Sequence, residues 1–252
     1  MSTTPLVLLH GYPFDHTLWD QVTARLNCEV IAPDLRGFGG NPIGSEEPSL
    51  EVMAEDVAHL LQQKTQSRCV IAGFSMGGYV ALAFAERHAP LVAGLGLINS
   101  QALADTEQTR TARRTMIEKV RREGPRAAVE AALPKLFAQA NPAKEELARF
   151  PRRAAEQAGA AGISWALEAM ARRPDRSAVL ERLQVPLLLV HSTEDQFIPI
   201  QQFRAVAQKF PRSVSVEIPG AGHCSPLEKP DMVAQALSQL VSSVESTEQK
   251  CP

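Results

Sequence analysis

Residues 69–78 read Cys69-Val70-Ile71-Ala72-Gly73-Phe74-Ser75-Met76-Gly77-Gly78. An apolar run leads into a serine with a glycine two positions before it and another two positions after. The chain then continues as Tyr79-Val80-Ala81-Leu82-Ala83-Phe84-Ala85-Glu86-Arg87-His88, which suits a helix. A strand that turns into a helix through a serine exposes the hydroxyl at the carboxyl edge of a sheet. That turn crowds the positions two before and two after the serine, and Gly73 and Gly77 relieve the crowding because they lack Cβ. The helix start supplies free N–H groups and the positive end of a dipole beside the hydroxyl. A bare G-x-S-x-G is a weak signal; the strand before it and the helix after it make this one specific.

Outward from this turn, short apolar runs alternate with longer amphipathic stretches. The predicted strands are Leu6–Leu9, Val30–Ala32, Cys69–Ala72, Gly94–Ile98, Leu187–Val190 and Val214–Ile218. Most are apolar throughout, as for strands buried on both faces. The fold class is therefore α/β, a mostly parallel sheet of about six strands flanked by helices. Leu50, Met53, Val57, Leu60 and Leu61 share one helical face, with Ser49 as N-cap. Ile200, Phe203, Val206, Ala207 and Phe210 form a second face. Val233, Leu237, Leu240, Val241 and Val244 form a third, with Pro230 at its start and a frayed polar end from Ser246. Between residues 102 and 182 the alternation stops, and three or four helices are expected without a strand. The division is a core over 1–101, a helical cap inserted over 102–182 after the fourth strand, and the rest of the core over 183–252.

The 252 residues carry a net charge of −2, which excludes a basic nucleic-acid-binding domain. The charge is uneven. Residues 104–182 hold 16 Lys+Arg and 11 Asp+Glu, or +5, and the remainder holds 10 and 17, or −7. Solvated helix faces account for such an excess, as does a lid that attracts anionic substrates. No apolar run approaches the length of a membrane helix, and the N-terminus lacks the basic start of a signal peptide. Cys28, Cys69, Cys224 and Cys251 are widely spaced, as free thiols of a cytoplasmic protein would be. No metal cluster, phosphate loop or dinucleotide fingerprint is present, so no cofactor is expected.

A serine hydroxyl needs a base. His223, in Gly220-Ala221-Gly222-His223-Cys224-Ser225-Pro226, follows the last strand on a loop with flanking glycines. The base needs an acid to fix its tautomer. Asp195, in His191-Ser192-Thr193-Glu194-Asp195, follows the fifth strand and is favoured over its neighbour Glu194. The order Ser75, Asp195, His223 is that of one hydrolase fold. An oxyanion requires backbone donors. Those expected are the N–H of Met76, next to the serine, and of Tyr12, in the loop after the first strand; Pro13 has no N–H to offer.

Together with this triad, the segments LLHGYPFDHTLW, APDLRGFGGN, AGFSMGG, VHSTEDQFIP and GAGHCSPLEKP resemble the α/β-hydrolase superfamily in order and spacing over nearly the whole chain. Within it the chain is similar to small bacterial carboxylesterases and 3-oxoadipate enol-lactonase-like proteins. The resemblance implies a serine hydrolase of small carboxylic esters or lactones that needs no cofactor. In this family the inserted helices cap the site. The same triad also serves C–C bond hydrolases, acyltransferases and perhydrolases, and the fold serves ligand receptors with little turnover. Phe14, Phe137 and Trp165 are candidates for the substrate pocket. A small-molecule partner is expected, with no nucleic acid and no membrane; the oligomeric state is open.

Overall fold

The computed structural model describes residues 4–64 and 68–248. The six strands are β1 (Leu6–Leu9), β2 (Val30–Ile31), β3 (Cys69–Phe74), β4 (Val92–Ile98), β5 (Leu187–Ser192) and β6 (Val214–Ile218). They form one sheet in the order β2-β1-β3-β4-β5-β6, and every pairing is parallel. Parallel neighbours need crossovers, and helices supply them: α1 (Asp20–Thr23), α2 (Leu50–Gln63), α3 (Met76–Arg87) and α9 (Ile200–Lys209), while α10 (Ser225–Glu228) and α11 (Pro230–Glu248) follow the last strand.

Alternate residues of each strand feed two buried layers. Val7, Leu9, Ile71 and Leu95 pack with α2 and α3, while Leu6, Leu8, Val70 and Leu188 pack with α11. That two-sided burial is why the strands read as continuous apolar runs. The exception is β6, an edge strand whose residues alternate in exposure. Ser49 caps α2 by accepting the Val52 N–H at 3.1 Å.

Two strands run past their predicted ends in ways that matter for the site. β3 continues through Gly73 and Phe74, which pair with Leu97 and Ile98. β5 continues through His191 and Ser192, which pair with Glu217 and Ile218. Small shifts occur elsewhere, with β4 beginning at Val92 and β2 ending at Ile31. The last helix does not fray at Ser246. The hydroxyls of Ser246 and Thr247 donate to the carbonyls of Ser242 and Ser243, and α11 runs to Glu248. Cys251 lies outside the described residues, and Cys28, Cys69 and Cys224 are free thiols.

Between β4 and β5 stand five helices rather than three or four: α4 (Glu107–Glu123), α5 (Arg126–Leu136), α6 (Lys144–Leu147), α7 (Arg149–Arg172) and α8 (Ser177–Arg182). α6 and α8 are too short to show a periodic face. α7 is kinked at Gly159, whose φ of +65° no other residue type adopts cheaply. The helical segment lies over the carboxyl ends of β1, β3 and β4.

Candidate active site

Ser75 is the hinge between β3 and α3. Its φ of +50° and ψ of −114° lie in a sparsely populated region for a residue with Cβ. The ladder holds it there: its N–H donates to the Ile98 carbonyl at 2.9 Å, and the Ser100 hydroxyl donates to its carbonyl at 2.8 Å. The flanking glycines are required by contact. A Cβ on Gly73 would sit 2.1 Å from the Gly77 carbonyl carbon, and one on Gly77 would sit 2.1 Å from the Leu9 carbonyl oxygen.

His223 follows β6 and reaches back across the sheet edge. Its Nε2 lies 2.9 Å from Ser75 Oγ, and its Nδ1 lies 2.8 Å from Asp195 Oδ2. A carboxylate can only accept, so Nδ1 carries the proton and Nε2 is left to accept from the serine. Phe74 and Phe197 flank the imidazole, with ring centroids 5.1 and 4.9 Å away.

The Asp195 side chain is fully buried and saturated with donors. Oδ1 accepts the backbone N–H groups of Phe197 and Ile198 at 2.8 and 3.1 Å; Oδ2 accepts Asn99 Nδ2 at 2.9 Å as well as His223. Burial pushes this carboxyl up, but the attraction of His223 and the hydrogen bonds from His223 and Asn99 outweigh it and hold it at about 2. Glu194, the competing carboxylate, is exposed and takes no part. His191 lies 3.8 Å from Asp195, stacks on Phe203 and is kept neutral by its own burial.

Asn99 is a functional neighbour that the sequence reading missed. It ends β4 at φ +45°, a conformation that asparagine tolerates better than most residues. Besides donating to Asp195, it accepts the Ser225 hydroxyl at 2.6 Å. One side chain thereby fixes both Asp195 and the loop just after His223. Its signal was an Asn-Ser pair directly after an apolar run.

Ser75 and His223 open into a cavity of about 340 Å³ between the sheet edge and the helical segment. Tyr12, Tyr79, Phe197, Leu136, Met170 and Arg113 are among its walls. A second cavity of about 300 Å³, mostly apolar, adjoins it beneath α9, and Gln101, Leu103, Ile198 and Gln202 line both. The N–H groups of Tyr12 and Met76 have no protein acceptor among the described residues.

The three aromatic side chains expected to shape the pocket do not line it. Phe14 is buried in the body, edge-on to Phe74 at 6.0 Å. Phe137 is buried at the C-terminal end of α5, where its backbone meets Gly222. Trp165 faces a separate cleft between α4 and α7, and its Nε1 donates to the Glu46 carbonyl at 3.2 Å. Each has a packing partner that outcompetes the cavity.

A six-stranded parallel sheet with a serine at the β3–α3 turn, and an acid and a histidine after its last two strands, defines a hydrolase class. Residues 6–236 match the model of the alpha/beta hydrolase family, and the chain belongs to that family. It is similar to a solved thermophilic esterase from Thermogutta terrifontis in its malate-bound form, at 35% identity and a TM-score of 0.90, covering 96% of this chain and 91% of that one. It is also similar to the solved enol-lactonase from Burkholderia xenovorans LB400, at 26% identity and a TM-score of 0.85 over 96% and 92% of the two chains. The 3-oxoadipate enol-lactonase 1 of Acinetobacter baylyi is 26% identical over 243 residues, 95% of this chain and 89% of that protein. No helix among the described residues is long and apolar enough to cross a membrane, and none of their side chains cluster as a metal site.

Proposed function

We propose that the protein is a serine hydrolase that cleaves small carboxylic esters or lactones through an acyl-enzyme. The unbroken relay Ser75–His223–Asp195, opening on a closed-in cavity, carries this reading. Ser75 Oγ attacks the carbonyl carbon while His223 Nε2 takes its proton. The tetrahedral oxyanion accepts the N–H groups of Tyr12 and Met76. Collapse expels the alkoxide, which receives the proton from His223. Water then loses a proton to His223, attacks the acyl-serine, and the acid leaves with Ser75 restored. Asp195 holds the tautomer and stabilises the imidazolium. No step requires a cofactor.

Residues 102–182 act as the cap: they supply Arg113, Leu136 and Met170 to the cavity and keep water from the acyl-enzyme. The apolar annex beneath α9 is sized for a short acyl or alkyl chain. The thermophilic esterase and the enol-lactonases support the ester and lactone assignment. The buried free thiols of Cys69 and Cys224 support a reducing, cytoplasmic setting.

The test is hydrolysis of p-nitrophenyl acetate, butyrate and octanoate by the wild type and by Ser75→Ala. Turnover that vanishes with Ser75 is expected, with the chain-length optimum reporting the depth of the annex. Turnover that survives the substitution would overturn the nucleophile.

A further inference from the structure

The cations of the helical segment differ in what holds them. Arg121, Arg149, Arg152 and Arg172 pair with glutamates at the surface, where water and salt screen them. Arg113 and Arg173 instead turn inward onto one carboxylate. Asp105 Oδ2 accepts Arg113 Nε at 2.6 Å, and Asp105 Oδ1 meets Arg173 Nη1 at 2.6 Å. The Asp105 and Arg173 side chains are each 2% exposed, and Arg113 is 19% exposed. One carboxylate against two guanidiniums leaves a net +1 at the cavity wall.

Arg113 and Asp105 are wall residues of the cavity that holds Ser75, and Asp105 is the single carboxylate among its described walls. Two nearby donors are also unsatisfied. The Tyr12 hydroxyl and Arg173 Nη2 are buried without a hydrogen-bond partner, and the Arg173 guanidinium lies 4.0 Å from the centre of the Tyr79 ring. Burial keeps the Tyr12 phenol protonated, so it is a donor. Arg113 uses Nε and Nη2 on Asp105, and its Nη1 has no protein acceptor among the described residues. A surplus positive charge shared by two guanidiniums on one carboxylate, beside an orphaned hydroxyl, is stabilised when an anion completes the site.

We propose that Arg113 and the Tyr12 hydroxyl form a carboxylate-binding subsite facing Ser75, so that the substrate is an ester or lactone bearing a free carboxylate away from the scissile bond. This rests on the hydrolase reading above. Asp105 and Arg173 are positioning residues: they fix the Arg113 fork so that its free N–H edge faces the cavity, where a carboxylate accepts a charge-assisted bond.

The test uses two esters that differ by one carboxylate, 4-nitrophenyl pentanoate and mono-4-nitrophenyl adipate. The wild type is expected to prefer the adipate ester by more than tenfold in kcat/KM. Arg113→Gln lowers that ratio by about 10- to 100-fold, the span expected for a lost charged hydrogen bond. Arg113→Lys keeps the charge and restores part of the ratio. Tyr12→Phe retains the backbone N–H, removes a hydroxyl that no protein group holds, and lowers the ratio more modestly. Adipate itself should bind Ser75→Ala in calorimetry and fail to bind the Ser75→Ala, Arg113→Gln double variant. Turnover of both esters without preference, or a ratio unmoved by Arg113→Gln, overturns the subsite. Adipate binding without turnover of any ester upholds the subsite and overturns the hydrolase reading instead.

Discussion

Glu228 is the side chain through which the helical segment grips the loop of His223. Its Oε1 accepts the Gly222 N–H at 2.8 Å; its Oε2 accepts the Ala138 N–H and Asn141 Nδ2, both at 2.9 Å. The Cys224 N–H donates to the Leu136 carbonyl alongside, and a Cβ on Gly222 would stand 2.4 Å from Ala138 N. Glu228→Gln tests the grip with little change of shape. A glutamine has one accepting oxygen, so it keeps the two donors from Ala138 and Asn141 and turns its NH₂ toward Gly222. One buried N–H next to His223 then loses its acceptor, at a cost of about 1–3 kcal/mol. Glu228→Ala strands all three donors and costs about 3–9 kcal/mol by the same reckoning. Denaturant unfolding measures both. Because Gly222 adjoins His223 and does not itself line the cavity, kcat for a p-nitrophenyl ester should fall in Glu228→Gln while KM holds. Burial raises the Glu228 carboxyl, and the bonds from Asn141, Ala138 and Gly222 only partly offset it. A raised carboxyl contributes its stability below the ordinary value of about 4.3 and loses it as the pH rises through the raised one. The gap between wild type and Glu228→Gln should therefore narrow as the pH rises. Equal stability of all three proteins, or a loss confined to KM, would refute the grip.

Other substitutions probe neighbouring parts of the same site. Asp195→Asn should lower kcat by about 10⁴, as loss of the tautomer-fixing acid does in triads of this kind. The Asp195 carboxyl is held at about 2 against an ordinary 3.8, so it adds about 2 kcal/mol of stability. That contribution is full above the ordinary value and lost as the pH falls toward the lowered one, so unfolding curves of the two proteins should converge below about pH 4. Asn99→Gly keeps the positive φ but removes the donor to Asp195 and the acceptor for Ser225; kcat should fall about tenfold or more in steady-state assays. Gly77→Ala puts a methyl 2.1 Å from the Leu9 carbonyl oxygen, and the variant should fail to accumulate as folded protein in a solubility and circular-dichroism check. Trp165→Phe loses the bond to Glu46 and part of a buried ring, so about 1–3 kcal/mol of stability should go while ester turnover stays within twofold.

The parts of the site that could be read from the sequence are those that backbone chemistry constrains locally. A serine at a positive φ between a strand and a helix demands glycines at fixed offsets, and the chain announces that demand at Gly73 and Gly77. The convergence of Asp195 and His223 on Ser75 was legible because parallel strands deliver their following loops to one edge. The pocket was not legible, because an apolar side chain serves a core and a cavity equally well. Leu136 lines the cavity while Phe137, one residue on at the end of α5, is packed inside. Met170 lines it while Trp165, on the same helix, covers a different cleft. Charge has the same ambiguity. The count over residues 104–182 located an excess of cations but gave Arg113 no distinction from Arg121. Only the fold brings Asp105, Arg113 and Arg173 together with little exposure to water, and only burial turns a surplus charge into a reason to bind an anion. A recognition site of this kind is written in the accounting of buried charge, which no local pattern of residues records.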